Sequence, residues 1–361
     1  MKKILSVTLF SDPRCQGGVE TFNRVLKSFY LDKISILTQA NRNKKIYEVS
    51  NLIEIGSNNF FFKLINKILQ NKIREFMILK EIRKIKEKKI IIFSYPYEIE
   101  LLKNIQAKKI LVQHTNFEHF IRSYCQNKEK YIKIIKTVDI LVILSPYDVK
   151  KFQEKFELEK DKIRVIRHSS TIPMLKEKKQ KNKKLIMVGR IDNNSKRFDL
   201  AIKAMKKLPE YTLDIYGDIY IDRKQDYEIL KELIKTEKIE NVAFKGATNK
   251  VQEKLDESGI FIMTSDYEAY GIVNIEAMRR GLPIVLRNTF DSAPDIIVDN
   301  TNGILLDKEW DENKFVEAVK KIYDNYEYYS ENSKKLGERH SPEVIKREWD
   351  KLFEELGENN I

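Results

Sequence analysis

Short apolar, β-like runs alternate with helix-length amphipathic segments along the chain, and the alternation starts afresh after residue 183. In the first half the runs at 3–10, 34–38, 90–93, 109–113, 140–144 and 163–166 read as strands, with helices over 19–29, 61–88, 97–104 and 146–156. In the second half strands are expected at 184–188, 212–216, 242–245, 259–263 and 283–286, and helices over 198–207, 225–236, 250–257, 271–280 and 313–325. Near-continuous Ile, Leu and Val in such runs suits strands covered on both faces, as in a parallel sheet layered with helices. Two rounds of it predict an α/β chain of two doubly wound, Rossmann-like domains, 1–172 and 173–340, and 361 residues supply core enough for both. The join "TIPMLKEKKQKNKK", 171–184, has a proline and a Lys-rich run and reads as a solvated connection. The last segment, 341–361, opens with Ser341 as N-cap and Pro342 at the first helical position, and its Trp349 and Phe353 need a surface, which predicts packing back on the first domain.

Several classes drop out. No stretch of about 18 apolar residues exists, so no transmembrane helix is expected. The opening "MKKILSVTLFSDPRC" could be a signal peptide, but Asp12, Pro13 and Arg14 interrupt it, and a buried first strand fits better. Cys15 and Cys125 have no metal-ligand spacing and suit a reducing cytoplasm, and the histidines at 114, 119, 168 and 340 form no zinc pattern. Charge is uneven. Residues 1–172 hold 34 Lys and Arg against 18 Asp and Glu, a net of +16, which leaves −3 for the remainder of a chain whose total is +13. A basic half points to an anionic partner, nucleic acid or a membrane surface, although a Lys-, Ile- and Asn-rich composition alone would also produce it.

Open parallel sheets bind ligands at the carboxyl ends of their strands, so the chemistry is sought there. After the first strand, "SDPRCQGGVETFNRV" places Gly17 and Gly18 before a helix, where backbone amides can approach a phosphate or a sugar closely; a plain turn is the alternative, and no G-x-G-x-x-G is present. "GRIDNNSKRFDLAI" carries Arg190 and Lys196 ahead of a helix, one forked and one mobile cation, as a diphosphate requires; Arg197 is a possible substitute, and two solvated surface cations are the plainer reading. In "SDYEAYGIVNIEAMRRGLPIV", 265–285, Glu268 and Glu276 stand around a strand-to-helix corner with seven residues between them. A carboxylate accepts two hydroxyl hydrogen bonds and so suits a vicinal diol, which places the ribose at Glu276 and the donor sugar at Glu268. The amides of Ala269, Tyr270, Gly271 and Ile272 and the Arg190/Lys196 pair would hold a diphosphate between them. Cations are needed there: at about 4 Å and an effective dielectric of about 20, one unit charge pair is worth about 4 kcal/mol. A surface glutamate plus an ordinary glutamate near a helix amino end remains the alternative.

Together "VGR(x5)K", "FKG" at 244–246, "EAYGIVNIEAM(x2)GLPIV", "APDIIVDNTNGILL", "GGVE" at 17–20 and "DILVILSPYDVKKF" at 139–152 resemble the family 4 glycosyltransferases over nearly the whole chain. The resemblance implies a GT-B architecture, two domains facing a central cleft, and a retaining transfer from a nucleotide-diphosphate sugar, with UDP as the expected nucleotide. It places Gly246 among the donor-binding residues and His114, in "LVQHTNFEHF", near the reacting sugar; His119 is the poorer choice, and a structural role for His114 stays open. Three departures stand out: "RHSST" for the usual Gly or Asn-Gly corner, "YGDIY" for G-x-G, and Ala-Tyr-Gly for Gly-Phe-Gly after the first glutamate. None removes a charged anchor. No Asp-x-Asp is present, so no metal or other cofactor is expected, and protein cations would meet the leaving diphosphate.

Residues 60–89 repeat apolar positions (Phe62, Ile65, Leu69, Ile73, Phe76, Leu79, Ile82) among many lysines and arginines. That pattern suits a helix in an anionic membrane surface, or one facing the core with a lysine-clad outer side. The expectation is a peripheral enzyme on the cytoplasmic face of the plasma membrane, building surface polysaccharide on a lipid-linked or oligosaccharide acceptor. The alternatives are a nucleic-acid-binding protein, for which no reading module is found, and a nucleotide-sugar epimerase or hydrolase on the same architecture.

Overall fold

The computed structural model describes residues 4–15, 17–39, 47–55, 72–84, 89–125, 129–220 and 223–358. It divides into two compact units, Met1–Ser169 with Pro342–Ile361, and Ser170–Ser341. Residues 170–175 belong to the second unit because their backbone is bonded into it. Leu175 N donates to Arg279 O (2.8 Å), Arg279 Nε to Ile172 O (2.6 Å) and Arg280 Nη1 to Pro173 O (2.8 Å). Nor is the lysine run after them wholly solvated: Lys179 is buried and donates to the carbonyls of Leu255 and Asp256, both at 2.6 Å.

The first unit holds a seven-stranded sheet with the order β3-β2-β1-β4-β5-β6-β7. Its strands are β1 (Ile4–Thr8), β2 (Ile34–Gln39), β3 (Leu52–Ile55), β4 (Ile90–Phe93), β5 (Lys108–Val112), β6 (Ile140–Ile143) and β7 (Ile163–Val165). Every pairing is parallel. Residues of β1, β4 and β6 are buried throughout, as helices on both faces demand. Helix α1 (Gly18–Tyr30) lays Phe22, Val25, Leu26 and Tyr30 on the sheet. Of the expected helix over 61–88, the described part is α2 (Lys72–Lys84), and the rest lies outside the described residues. Its Ile78 and Ile82 enter the core beside Leu5, Ile91 and Phe93, while Phe76 of the same stripe is 64% exposed. Then follow α3 (Pro96–Leu101), α4 (Phe117–Phe120), α5 (Glu129–Ile135) and α6 (Val149–Phe156). Cys15 and Cys125 are buried and not joined in a disulfide, and among the described residues no helix is long and apolar enough to cross a membrane.

The second unit holds a six-stranded parallel sheet with the order β10-β9-β8-β11-β12-β13. The strands are β8 (Lys184–Val188), β9 (Thr212–Tyr216), β10 (Val242–Gly246), β11 (Ile260–Met263), β12 (Ile284–Arg287) and β13 (Gly303–Leu306). Its helices include α7 (Asn193–Lys196), α8 (Phe198–Ala204), α9 (Lys224–Thr236), α10 (Val251–Asp256), α11 (Ile272–Arg279), α12 (Ala293–Ile296), α13 (Glu312–Asp324) and α14 (Tyr326–Gly337). Strand order reverses between β1 and β4 in one sheet and between β8 and β11 in the other. Such a reversal opens a crevice beyond the strand ends, because the following helices leave on opposite faces.

The terminal helix α15 (Pro342–Glu355) belongs to the first unit. Its Ile345, Trp349, Leu352 and Phe353 join Phe22, Leu26, Tyr30 and Ile90 in one apolar cluster, and Tyr30 donates to Asp350 Oδ1 (2.9 Å). Phe22 also meets a parallel pair of imidazoles, His114 and His168, whose centroids lie 5.6 Å apart. Burial pushes the His168 imidazole down to about 4. His114 is held well below its ordinary value by burial first and by His168 second.

Two outcomes follow. Trp349→Ala should cost about 3–5 kcal/mol in urea unfolding, the usual range for emptying a large buried aromatic site. Acid should weaken the first unit through the histidines. Between about pH 4 and 6.5 the folded state binds fewer protons at His168 than the unfolded chain, so stability falls as pH drops through that window. Denaturation midpoints measured near neutral pH and near the lower end of that window should show the fall, and His168→Phe should shrink it.

Candidate active site

At the reversal of the second sheet, β8 delivers Gly189 and Arg190, and β11 delivers the corner that runs from Thr264 to Gly271. Three glycines line the ends of β8, β9 and β10. Gly189 N donates to Tyr216 O (2.9 Å), and Gly217 N to Gly246 O (3.0 Å). A Cβ on Gly217 would overlap the Gly189 carbonyl, so only glycine permits this close approach. Gly246 has φ +74°, and a Cβ there would meet nothing within 4 Å. Gly217 was not among the expected residues; a glycine immediately after a strand is the signal that could have found it.

Lys196 ends the single turn of α7. Its stem crosses Gly189, with Cε 3.6 Å from where a Cβ would stand, and its ammonium pairs with Glu268. The two side chains are 22% and 14% exposed, so the pair is shielded from much of the solvent that weakens surface ion pairs. Ser265 Oγ donates to the same carboxylate oxygen (3.1 Å). Arg190 is different: 55% exposed, 3.6 Å from Asp192 and 5.8 Å from the centre of the Tyr220 ring, in cation–π range. Arg197 does not stand in for Lys196. It grips Asp199 with two bonds (3.0 and 3.1 Å) and reaches Asp266 (3.3 Å).

The corner is held from beneath. Thr264 Oγ1 donates to the carbonyls of Lys196 (3.0 Å) and Arg197 (2.8 Å), and Asp266 N to Ser195 O (2.8 Å). Thr289 Oγ1 donates to Ser265 O (2.5 Å) and Ser292 Oγ to Ala269 O (2.7 Å). Tyr270 is fully buried, and its hydroxyl donates to Asp295 Oδ2 (2.7 Å), so only its backbone can serve a ligand. Gly271 takes φ +67°, and a Cβ would stand 2.6 Å from Asn274 Nδ2. Helix α11 then starts at Ile272, and its first amides have no acceptor within the helix. Glu276 lies in the second turn, where Ser170 Oγ donates to Oε1 (3.4 Å).

The structure therefore brings Gly189, Lys196 and Glu268 into contact and puts Arg190, Ala269, Tyr270, Gly271, Ile272 and Glu276 on the same two strand exits. Gly17, Gly18 and His114 lie in the first unit. Gly17 caps α1 with φ +152°, and the carboxylate of Glu20 occupies the place a Cβ would take. His114 follows β5, and both its ring nitrogens are buried with no hydrogen-bond partner among the described residues. The helix just after it is capped instead by Asn116, which accepts from His119 N (2.9 Å).

A mobile cation beside helix-end amides, flanked by two carboxylates, can hold an anion between polyhydroxylated groups. The family model for glycosyl transferases group 1 matches residues 171–339. A Haemophilus influenzae protein, an uncharacterized glycosyltransferase, is 30% identical over 346 residues, covering 88% of this chain and 94% of its own. The O-antigen biosynthesis glycosyltransferase WbnH of Escherichia coli is 28% identical over 207 residues, 57% of this chain and 56% of its own. Among solved structures, HepE of Anabaena in complex with UDP and glucose matches with a TM-score of 0.79 at 15% identity, over 98% of this chain and 100% of that one, which shows the fold. The chain belongs to the group 1 glycosyltransferases and has the GT-B fold.

Proposed function

We propose that this glycosyltransferase moves a hexose from UDP to a lipid-linked or oligosaccharide acceptor in surface-polysaccharide synthesis, with retention of configuration. The observation that carries the donor reading is the Lys196–Glu268 pair lying over Gly189 at the reversal of the second sheet. Related proteins support the class of donor and product: HepE was solved with UDP and glucose, and WbnH acts in O-antigen biosynthesis.

In this reading Arg190, Lys196 and the first amides of α11 meet the diphosphate, Glu276 takes the ribose hydroxyls and Glu268 those of the hexose. Gly17 and Gly18, beneath the Glu20 carboxylate, and His114, held neutral at physiological pH by burial, belong to the first unit and are assigned no contact with the donor here. Gly246 lies at the outer end of the glycine row. The bond from the sugar carbon to the phosphate oxygen breaks, and the acceptor oxygen bonds to that carbon on the same face. The acceptor's proton passes to the departing phosphate oxygen. The chain carries no Asp-x-Asp, so the charge on the leaving diphosphate is assigned to Arg190 and Lys196 without a metal. The excess cations of the first unit and the exposed Phe76 of α2 would draw it to the anionic cytoplasmic face where a lipid carrier resides.

Arg190→Ala and Lys196→Ala should each lower turnover about 10²–10³-fold with little change in melting temperature, and Glu276→Ala should weaken UDP binding about tenfold by calorimetry. Near-normal rates in both cation variants refute the diphosphate assignment. Product analysis with and without acceptor separates transfer from hydrolysis or epimerisation. Sedimentation with vesicles should show binding to anionic phosphatidylglycerol that disappears in high salt; equal binding to neutral vesicles would defeat the membrane reading.

A further inference from the structure

Tyr270 stands where the family pattern more usually carries phenylalanine, and its ring is wholly buried in the second unit. A hydroxyl taken into a core costs stability unless it is bonded, and a phenylalanine ring would fill the same room without that cost. The added oxygen is bonded. It donates to Asp295 Oδ2 (2.7 Å), and His340 Nε2 lies 3.5 Å from it, at the long limit of a hydrogen bond. The His340 imidazole also meets the phenol ring, with centroids 5.4 Å apart. Asp295 and His340 are themselves buried.

Asp295 is held in turn. It lies on α12, and Arg339 Nη2 donates to its carbonyl (2.7 Å) from the turn Glu338–His340, at the end of the second unit. The Asp295 amide donates to Ser292 O (3.0 Å), and Ser292 Oγ donates to Ala269 O (2.7 Å). One short segment after β12 therefore grips two successive residues of the corner, Ala269 by its carbonyl and Tyr270 by its ring. A peptide unit is planar and trans, so its N–H points opposite to its C=O. Fixing the Ala269 carbonyl on the α12 side turns the Tyr270 N–H away from α12. Gly271 O accepts from Asn274 N (2.8 Å), which by the same rule turns the Ile272 N–H out beyond the start of α11. The Tyr270 Cα is the joint between these peptides, and an anchor at the far end of its ring holds that joint.

We propose that the Tyr270–Asp295 hydrogen bond aims the corner amides of residues 270–272 at the outer phosphate of the nucleotide diphosphate, which makes Tyr270 and Asp295 positioning residues for the transfer. The inference rests on the donor reading above and adds the side chains that set its amides. In that reading Glu276 takes the ribose and Glu268 the hexose, so the corner between them serves the phosphate nearer the sugar. Charge develops on that phosphate as the sugar leaves, and dipoles already fixed in direction stabilise it without having to reorient.

Calorimetry on the full chain with UDP and with UMP tests it, since UMP lacks the outer phosphate. Tyr270→Phe should weaken UDP binding about tenfold and change UMP binding less than about twofold. On an Asp295→Ala background the same change should alter UDP binding less than about twofold, because the bond is already gone. Tyr326→Phe is the control. Tyr326 is buried in the same unit and donates to Gly259 O (2.9 Å), just before β11 begins, whereas the corner follows where β11 ends. This variant should lower the melting temperature much as Tyr270→Phe does and leave the preference for UDP over UMP unchanged. Unaltered UDP binding in Tyr270→Phe, equal losses for UDP and UMP, a further tenfold loss on the Asp295→Ala background, or the same lost preference in Tyr326→Phe would each overturn the inference. Should Asp295→Ala fail to fold, the two tyrosine variants decide alone. An unaltered chain that binds UDP no tighter than UMP defeats the diphosphate reading itself; a chain that prefers UDP and keeps that preference in Tyr270→Phe retains that reading and loses only the positioning role.

Discussion

Asp266 ties the two halves of the second unit's crevice together. Its carboxylate accepts from Arg287 Nη1 (2.5 Å) and Arg197 Nη1 (3.3 Å), while its own amide donates to Ser195 O (2.8 Å). Arg287 reaches on to the carbonyls of Thr264 (3.1 Å) and Lys308 (2.8 Å). The loop after β8 and the corner after β11 are thus one hydrogen-bonded body, although about 70 residues separate them in sequence. The placement of the Lys196 and Glu268 backbones is a consequence, and it brings the two side chains within reach of each other. Without the Asp266 carboxylate, the two guanidinium groups would face each other with no counter-charge between them. Such a frame holds functional groups in position before a ligand arrives, which is where much of an enzyme's advantage over solution lies.

How much of this was legible in the sequence depends on what each residue faces. Strands buried on both sides, such as Ile90–Phe93 and Ile260–Met263, stand out as unbroken apolar runs. The edge strand Leu52–Ile55 did not, because it pairs on one side only and carries Glu54, a partner of Arg14. Gly303–Leu306 was missed for a related reason: it opens on a glycine pressed against the Ile284 carbonyl, where no side chain can announce a strand. Helix Tyr326–Gly337 was hidden by its composition. Its buried face is made of tyrosine and serine, and their hydroxyls bond to the carbonyls of Gly259 (2.9 Å), Gly281 (2.7 Å) and Leu282 (2.6 Å). Polar residues satisfied by backbone carbonyls can pave a helix interface as well as leucines do, yet a hydropathy pattern does not register them.

The chemistry divides in the same way. Lys196, Glu268 and Glu276 were visible because their types and spacings within a loop or a helix turn are local properties. Gly217, Asp266 and Arg287 were not, because their roles exist only once β8, β9, β11 and β12 lie side by side. The segment over 60–89 shows the converse limit. An apolar stripe among lysines is equally at home on a bilayer or on a protein core, and in the described part Ile78 and Ile82 fill the first unit's core while Phe76 stays outside.

The charges at the two crevices make a final point about division of labour. On the proposed reading, Arg190 and Lys196 balance Glu268 and Glu276, so the four side chains of the donor crevice sum to zero. A diphosphate arriving there adds negative charge, which on that reading Arg190 meets directly and Lys196 meets by turning from Glu268 toward the phosphates. That exchange frees the Glu268 carboxylate to accept hydroxyls from the sugar as the diphosphate seats, so recognition of one end of the donor is coupled to recognition of the other through a single ion pair. In the first unit the arrangement is reversed. Arg14 and Arg24 are already spent on Asp12, Glu54 and backbone carbonyls, which leaves its crevice without a free cation among the described residues near Glu20. Local pairing, rather than the overall excess of lysine, therefore decides where a cation can change partners and meet an anion.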